Sequence, residues 1–330
     1  MKKALVFLVM LSLLLPAVQL LGEGQKESEG LTKVSFRMNW KFTGPHAVYL
    51  LGKEMGFYEE EGIDVEIMEG NGSVTTGQLV GNKSDDFGLA DATALIPIMA
   101  KGLPIKAVAM ITPTSALAVV ARADRGIRNI KDLEGKKLAV TAGDSLTQIF
   151  PAVVAVNKLD ASKIELIYVD AAAKIPTVLE GKCDALLGSA GDQSAVMEDQ
   201  GLDVVDLKFA DYGVNILNLG IFVHEDMIKE NPDLIRRFLR ATKKSHEALE
   251  ANYDKALQLL VEVKPELKLE VARVQGDAYY SRMQSTNCKR ADILYNCPGD
   301  WAMTVDIMKK YRDLEGELNP ADFYTNEFIP

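Results

Sequence analysis

Two stretches of the chain, about one hundred residues apart, repeat the same order of elements. FRMNWKFTGPHAVYLL, read as strand, loop and helix, aligns with KLAVTAGDSLTQIFPAVV, and IDVEIME aligns with IELIYVD. LVGNKSDDFGLADATALIPIMAKGLPIKAV then aligns loosely with VLEGKCDALLGSAGDQSAVMEDQGLDVVDL. Residue identity between the halves is weak and generic α/β patterning supplies part of it, so the order of elements carries the argument. Two matching units of this kind make an α/β protein of two lobes, each a mostly parallel sheet flanked by helices.

The stretch GFYEEEGIDVEIMEGNG shows how each unit is built. Val48, Leu51, Met55 and Tyr58 recur at helical spacing, and Gly56 supplies the permissive backbone that closes a helix. Ile63, Val65 and Ile67 then alternate with Asp64, Glu66 and Met68, the period of a short strand. A helix followed by a strand, without hairpin chemistry between them, implies a βαβ connection. The acidic run Glu59 to Glu61 reads as a solvated bend.

The apolar runs AVAMI and ALAVVA flank TPTS, Thr112 to Ser115, and read as strands that leave one lobe and enter the other. A return crossing is expected near VNILNLGIFVHED, Val214 to Asp226. Lobe 1 is then residues 33–113 and 219–330, and lobe 2 is residues 114–218. Beyond the return, helical periodicity dominates as far as Lys310, with Pro232 suited to a first helical turn.

In open parallel sheets, ligands bind outside the carboxyl ends of the strands. That rule selects Trp40 to His46, Asn71 to Val74 and Asp91 to Thr93 in one lobe. In the other it selects Thr141 to Thr147, Asp170 to Lys174 and Ser189 to Gln193. Trp40 either walls a planar ligand or packs in the core. His46 either donates to a ligand, the preferred reading, or hydrogen-bonds within its loop. Asp91 and Asp192 hold matching places before a helix, the habitat of an N-cap; at least one is expected to cap and the other to accept from a ligand donor. Thr141, Gly143, Ser145 and Thr147 offer hydroxyls and amides suited to oxyanions or heteroatoms, or serve as turn chemistry. Asn71, Ser189 and, from the two crossings, Thr114, Ser115 and Asn215 complete the candidate ligand-binding set. GNGS lacks both the spacing of a dinucleotide fingerprint and the lysine of a P-loop. No Gly-x-Ser-x-Gly elbow occurs, so no catalytic residue is assigned.

The first 22 residues, two lysines followed by an apolar run, read as a cleavable secretory signal, with residues 23–32 as a flexible spacer. Pro16 and Gln19 interrupt the run before it reaches bilayer-spanning length, which sets a retained anchor second. Without that segment the chain carries 35 basic and 47 acidic residues, a net charge of −12. Nucleic acid is therefore disfavoured as a partner. Three cysteines and three scattered histidines give neither zinc nor redox spacing, so no metal or cofactor is expected. Cys288 and Cys297 could pair in an oxidising compartment, while Cys183 reads as a small buried hydrophobe.

NWKFTGPHAVYLLGKEMGFYEEEGIDVEIMEGNG, DFGLADATAL, IKDLEGKKLAV, LEGKCDALLG and the ending ADFYTNEFIP resemble the exported substrate-binding proteins of ABC importers in the thiamine-pyrimidine and riboflavin group, relatives of the taurine and nitrate binders. The resemblance spans the chain from about Val34 to its end. It implies a two-lobed periplasmic-binding-protein fold of type II that closes on a small molecule in the cleft. It also implies an exported monomer that delivers its ligand to a membrane permease driven by an ATPase, and touches the membrane only through that permease. Trp40 matches the family's aromatic after the first strand, and the Asp192 region its acidic or polar position after a later one. Lys41 and Phe42 replace the usual Asn or Asp after the tryptophan, and the loops selected above lack arginines that would clamp an acid. An uncharged planar heterocycle, such as a thiamine pyrimidine precursor or a riboflavin-like molecule, is thus favoured over a sulfonate or nitrate. The pyrimidine synthase of thiamine biosynthesis resembles the same fold, but its cysteine-rich motif is missing, so a binder rather than an enzyme is expected. A ligand-sensing module is the third reading, and the chain shows no attached kinase or DNA-binding domain.

Overall fold

Alternation sets the first strand: β1 (Thr32–Arg37) buries Val34 and Phe36 while Lys33 faces solvent. The computed structural model describes residues 30–142, 144–285, 287–288, 293–311, 314 and 316–330. The expected signal segment 1–22, most of the spacer 23–32 and Gly143 lie outside these residues. Leu31–Pro330 cluster as one unit.

After β1, α1 (Ala47–Glu54) ends where Gly56 takes a left-handed φ of 76°. The chain restarts at once as α2 (Phe57–Glu60), followed by β2 (Ile63–Met68), α3 (Ser73–Gly81), β3 (Phe87–Asp91), α4 (Ala92–Met99) and β4 (Ile105–Met110). The acidic run is therefore a helical turn rather than a bend. Glu60 pairs with Lys244 and Glu61 with Arg240, two cations that stand far downstream in sequence.

The second run gives β5 (Leu117–Arg122), β6 (Lys137–Val140), α5 (Ser145–Val156), β7 (Glu165–Tyr168), α6 (Lys174–Leu179), β8 (Ala185–Ser189), α7 (Gln193–Asp199) and β9 (Val204–Lys208). Then come β10 (Leu219–His224), α8 (Glu225–Glu230), α9 (Pro232–Leu249), α10 (Tyr253–Val263), α11 (Leu269–Tyr280) and α12 (Pro298–Tyr311). Two five-stranded sheets result, in the orders β2-β1-β3-β10-β4 and β7-β6-β8-β5-β9. In each, one strand runs against the others: β10 lies antiparallel between β3 and β4, and β5 between β8 and β9. The repeat predicted from the order of elements is thus present in the strand order, with each reversed strand in the same slot.

One apolar cluster covers one side of the first sheet with Val48, Leu51, Phe238, Leu257 and their neighbours. A second runs from Ile96 and Met99 through Ile149, Phe150 and Val153 to Leu187 of the second sheet, with Trp301 and Met308 joining from α12. This continuous apolar seam holds the sheets together along α4, α5 and α12. Pro232 opens α9 at its first position, where its missing N–H has no helical acceptor to lose.

His246 of α9 lies edge-on to Tyr49 at 5.7 Å and is 7% exposed, with neither ring nitrogen hydrogen-bonded among the described residues. Burial pushes its pKa down to about 3. The unfolded chain takes up the proton near pH 6.5, so the stability carried by the neutral ring is full above that pH and is lost as the pH falls toward 3. His246→Phe is expected to flatten the decline of unfolding free energy between pH 7 and pH 5 by about 2 kcal/mol. Urea titrations of both proteins at the two pH values measure this, and parallel declines would sink it.

Cys288 and Cys297 form a disulfide, and Cys183 is free and buried. Among the described residues no helix is long and apolar enough to cross a membrane.

Candidate functional site

The crossings lie side by side: Ile111 and Thr112 N–H groups donate to Leu219 O at 2.9 and 3.1 Å, and Asn218 N donates to Thr112 O at 3.1 Å. Leu219 N donates to the Thr112 hydroxyl at 2.9 Å. Thr114 and Ser115 belong to this band, where Ser115 Oγ accepts from Leu117 N and the Thr114 hydroxyl donates to Gln284 O. Asn215 stands on the return crossing, and its Oδ1 is buried without a partner among the described residues.

On the first sheet, the loop after β1 and the loop after β2 are zipped together. Gly70 N donates to Trp40 O and Gly72 N to Asn39 O, both at 2.9 Å. A Cβ at Gly70 would stand 1.9 Å from Met38 O, so the approach demands glycine. Trp40 is half-buried at this junction and Asn71 is exposed beside it. His46, 2% exposed, takes the second of its two expected roles: Nδ1 accepts from Thr43 N at 3.0 Å, and Nε2 lies 3.1 Å from Asn39 Oδ1. Burial pushes its pKa down to about 4, which keeps the ring neutral with Nε2–H donating to Asn39.

Asp91 ends β3 and caps α4, accepting from Thr93 N at 2.8 Å and the Thr93 hydroxyl at 2.6 Å. Its other oxygen accepts from Asn218 Nδ2 at 2.9 Å, and Ser145, from the second sheet's α5, lies near enough to pull its pKa down. It is 2% exposed, and burial raises its pKa against these hydrogen bonds. Asp91 and Ser145 are therefore brought together from the two halves.

On the second sheet, Asp144 caps α5 through Thr147 N at 2.6 Å. The Thr141 hydroxyl donates to Val169 O, and the Thr147 hydroxyl to Thr141 O, which ties the loops after β6 and β7 together. Lys174, 5% exposed, donates to Asp144 Oδ2 at 3.1 Å and to Leu187 O at 2.9 Å. Ser189 N is held by Gln193 Oε1 at 2.6 Å. Asp192 sits where a cap would, but with φ −96° and ψ −71° its side chain makes no capping hydrogen bond. A cap needs the extended backbone that Asp91 has, φ −73° and ψ 118°. Burial pushes the Asp192 carboxyl up to about 6, with Arg282 and Lys174 pulling it back down.

Arg282 was not among the residues selected from sequence. It follows α11 and donates from Nη1 to Ala190 O at 3.3 Å. Nothing local marks it, because the loop it reaches lies 92 residues earlier. Lys174 closed one of the selected loops without being singled out, and Asn218 stands three residues past Asn215. Lys174 pairs with Asp144 and lies in the field of Asp192, and Arg282 lies in the field of Asp192 and Asp206, so three carboxylates surround two cations. A separate groove of about 410 Å³ runs along β1 and β2, lined by Lys33, Ser35, Asp64 and Glu66, and shares no residue with these loops. Among the described residues no group of three or more His, Cys, Asp or Glu side chains is placed to hold a metal ion.

Residues 44–256 match the family model described as NMT1/THI5 like. The 4-amino-5-hydroxymethyl-2-methylpyrimidine phosphate synthase THI13 of Saccharomyces cerevisiae is 25% identical over 312 residues, covering 90% of this chain and 88% of its own. The riboflavin-binding protein RibY of Chloroflexus aurantiacus is 25% identical over 315 residues, covering 91% and 87%. The periplasmic aliphatic sulphonate binding protein SsuA from Escherichia coli superposes with a TM-score of 0.70 at 16% identity, covering 88% of this chain and 91% of that one. The chain thus has the periplasmic-binding-protein fold.

Proposed function

The chain belongs to the NMT1/THI5-like family, and from that premise we propose that it is the exported substrate-binding component of an ABC importer. It captures a small, uncharged planar heterocycle, a thiamine pyrimidine precursor or a riboflavin-like molecule, between its two sheets. The observation that supports this reading is the approach of Ser145, in the first turn of α5, to Asp91 at the end of β3, together with three further carboxylates, Asp144, Asp192 and Asp206, set about the two cations Lys174 and Arg282. Such a seam offers acceptors to the amino and ring N–H groups of a heterocycle and repels a sulfonate or nitrate. The similarity to RibY supports the ligand class, and the similarity to SsuA supports only the fold.

Closure stabilises the bound state because only then do both sets of loops touch the ligand, with the paired crossings as the pivot. The permease and its ATPase are the partners, and they must favour the closed form. Lobe 1, residues 33–113 and 219–330, and lobe 2, residues 114–218, are the moving bodies of this scheme.

Isothermal titration with an aminopyrimidine, riboflavin, taurine and nitrate is expected to give saturable binding to one of the first two and none to the anions. Tight taurine or nitrate binding without a heterocycle response reverses the ranking. A synthase is the second reading, favoured by the similarity to THI13. Lys174, the buried lysine at the seam, is already engaged by Asp144 and Leu187 O rather than free to act as a nucleophile. Product formation by the purified protein would establish the synthase.

A further inference from the structure

The segment around α11 reaches across to the second sheet at three points. Lys268, just before the helix, holds Asp199 at 2.7 Å. Ala278 lies against Gly191, where an added Cβ would stand 2.1 Å from the alanine Cβ. Arg282, just beyond the helix, binds Ala190 O, and its Nε is buried without a hydrogen-bond partner among the described residues. The guanidinium therefore enters the loop that carries Asp192 and whose Gly191 N–H donates to Asp206, and both carboxylates act on it through their charge. Asp206 already uses Oδ2 to accept from Gly191 N at 3.1 Å and the Ser194 hydroxyl at 3.0 Å. Asp192 caps nothing, so its charge is available to Arg282.

A desolvated guanidinium with an unused N–H is an anion receptor unless a carboxylate compensates it. We propose that Arg282 and Asp192 form a charge-selectivity pair: the Asp192 carboxylate compensates the Arg282 guanidinium, so that the cleft turns small anions away. This deepens the reading of the cleft as the ligand site and rests on it. Lys174 is occupied by Asp144 and a carbonyl. Asp206 is fixed on β9 by the bonds Gly191 and Ser194 give its Oδ2, and its Oδ1 is buried without a partner among the described residues. Asp192, in the loop that Arg282 enters and held by no capping bond, is the carboxylate free to adjust to the guanidinium.

The test is titration of ethanesulfonate and nitrate into the full chain at low ionic strength. Wild type is expected to show no binding up to millimolar concentrations. Asp192→Asn is expected to gain at least tenfold in ethanesulfonate affinity, the equivalent of about 1.4 kcal/mol, with the gain fading as salt is added. The double variant Asp192→Asn with Arg282→Gln is expected to lose that gain. Asp192→Ser repeats the measurement with a smaller side chain, and a thermal melt verifies the fold of each protein. A folded Asp192 variant that gains nothing, or a double variant that keeps the gain, overturns the pair. Tight ethanesulfonate binding by wild type overturns it together with the heterocycle reading. A heterocycle that binds while Asp192→Asn gains no anion affinity overturns the pair alone; an anion gain without any heterocycle binding supports the pair and removes the heterocycle.

Discussion

Lys174→Met is expected to lower the free energy of unfolding by about 3 kcal/mol, the loss associated with stripping one partner from a buried ion pair. Side-chain exposure is 6% for Lys174 and 17% for Asp144, so water reaches the carboxylate only in part. The substitution strands Asp144 at the start of α5 and leaves Leu187 O without its donor. Because Asp144 also caps that helix, the first turn carrying Ser145 loosens, and its contact with Asp91 weakens with it. Urea unfolding at pH 7 reads the stability, and a loss under about 1 kcal/mol would show that the pair does not organise the loop. Lys174→Arg, which retains the charge, should recover part of the difference.

Phe238→Ala is expected to cost about 4 kcal/mol, within the range for deleting a fully buried ring. Phe238 stacks on Phe87 at 3.9 Å, meets Phe36 edge-on at 5.0 Å and lies 5.4 Å from Tyr58. It joins α9 to β1, β3 and α2 at once, so a cavity here has rigid walls on several sides. Phe238→Leu, which leaves a smaller void, should cost less than half as much. Equal losses for the two variants, or a loss for alanine under about 2 kcal/mol, would show that the neighbours collapse into the space.

How much of this was legible depends on how local the cause was. The strands and helices of each repeat were readable because their period is local: Val34, Phe36, Ile63 and Val65 alternate in sequence as they do in burial. The repetition predicted two matching units, and the strand orders of the two sheets do match. The reversed strands β5 and β10 were legible as crossings, but their slots are set by partners more than sixty residues away, such as Val119 with Leu187 and Ile221 with Leu89. Asp91 and Asp192 looked alike because residue type and position were all that could be compared, whereas backbone angles separate cap from non-cap. Glu59 to Glu61 read as a bend because the cations that hold Glu60 and Glu61 lie in α9. Arg282 left no trace, since a long side chain crossing to another sheet obeys no sequence period.

The insertion of β10 between β3 and β4 has a consequence for the newborn chain. Four strands of the first sheet are made by residue 110, yet the slot between two of them stays empty until residue 224 has emerged. By then β5 to β9 have all left the ribosome, so the sheet begun first is the last that can be completed. A chain truncated before Leu219 leaves the inner edges of β3 and β4 open to any strand that passes, its own or a neighbour's.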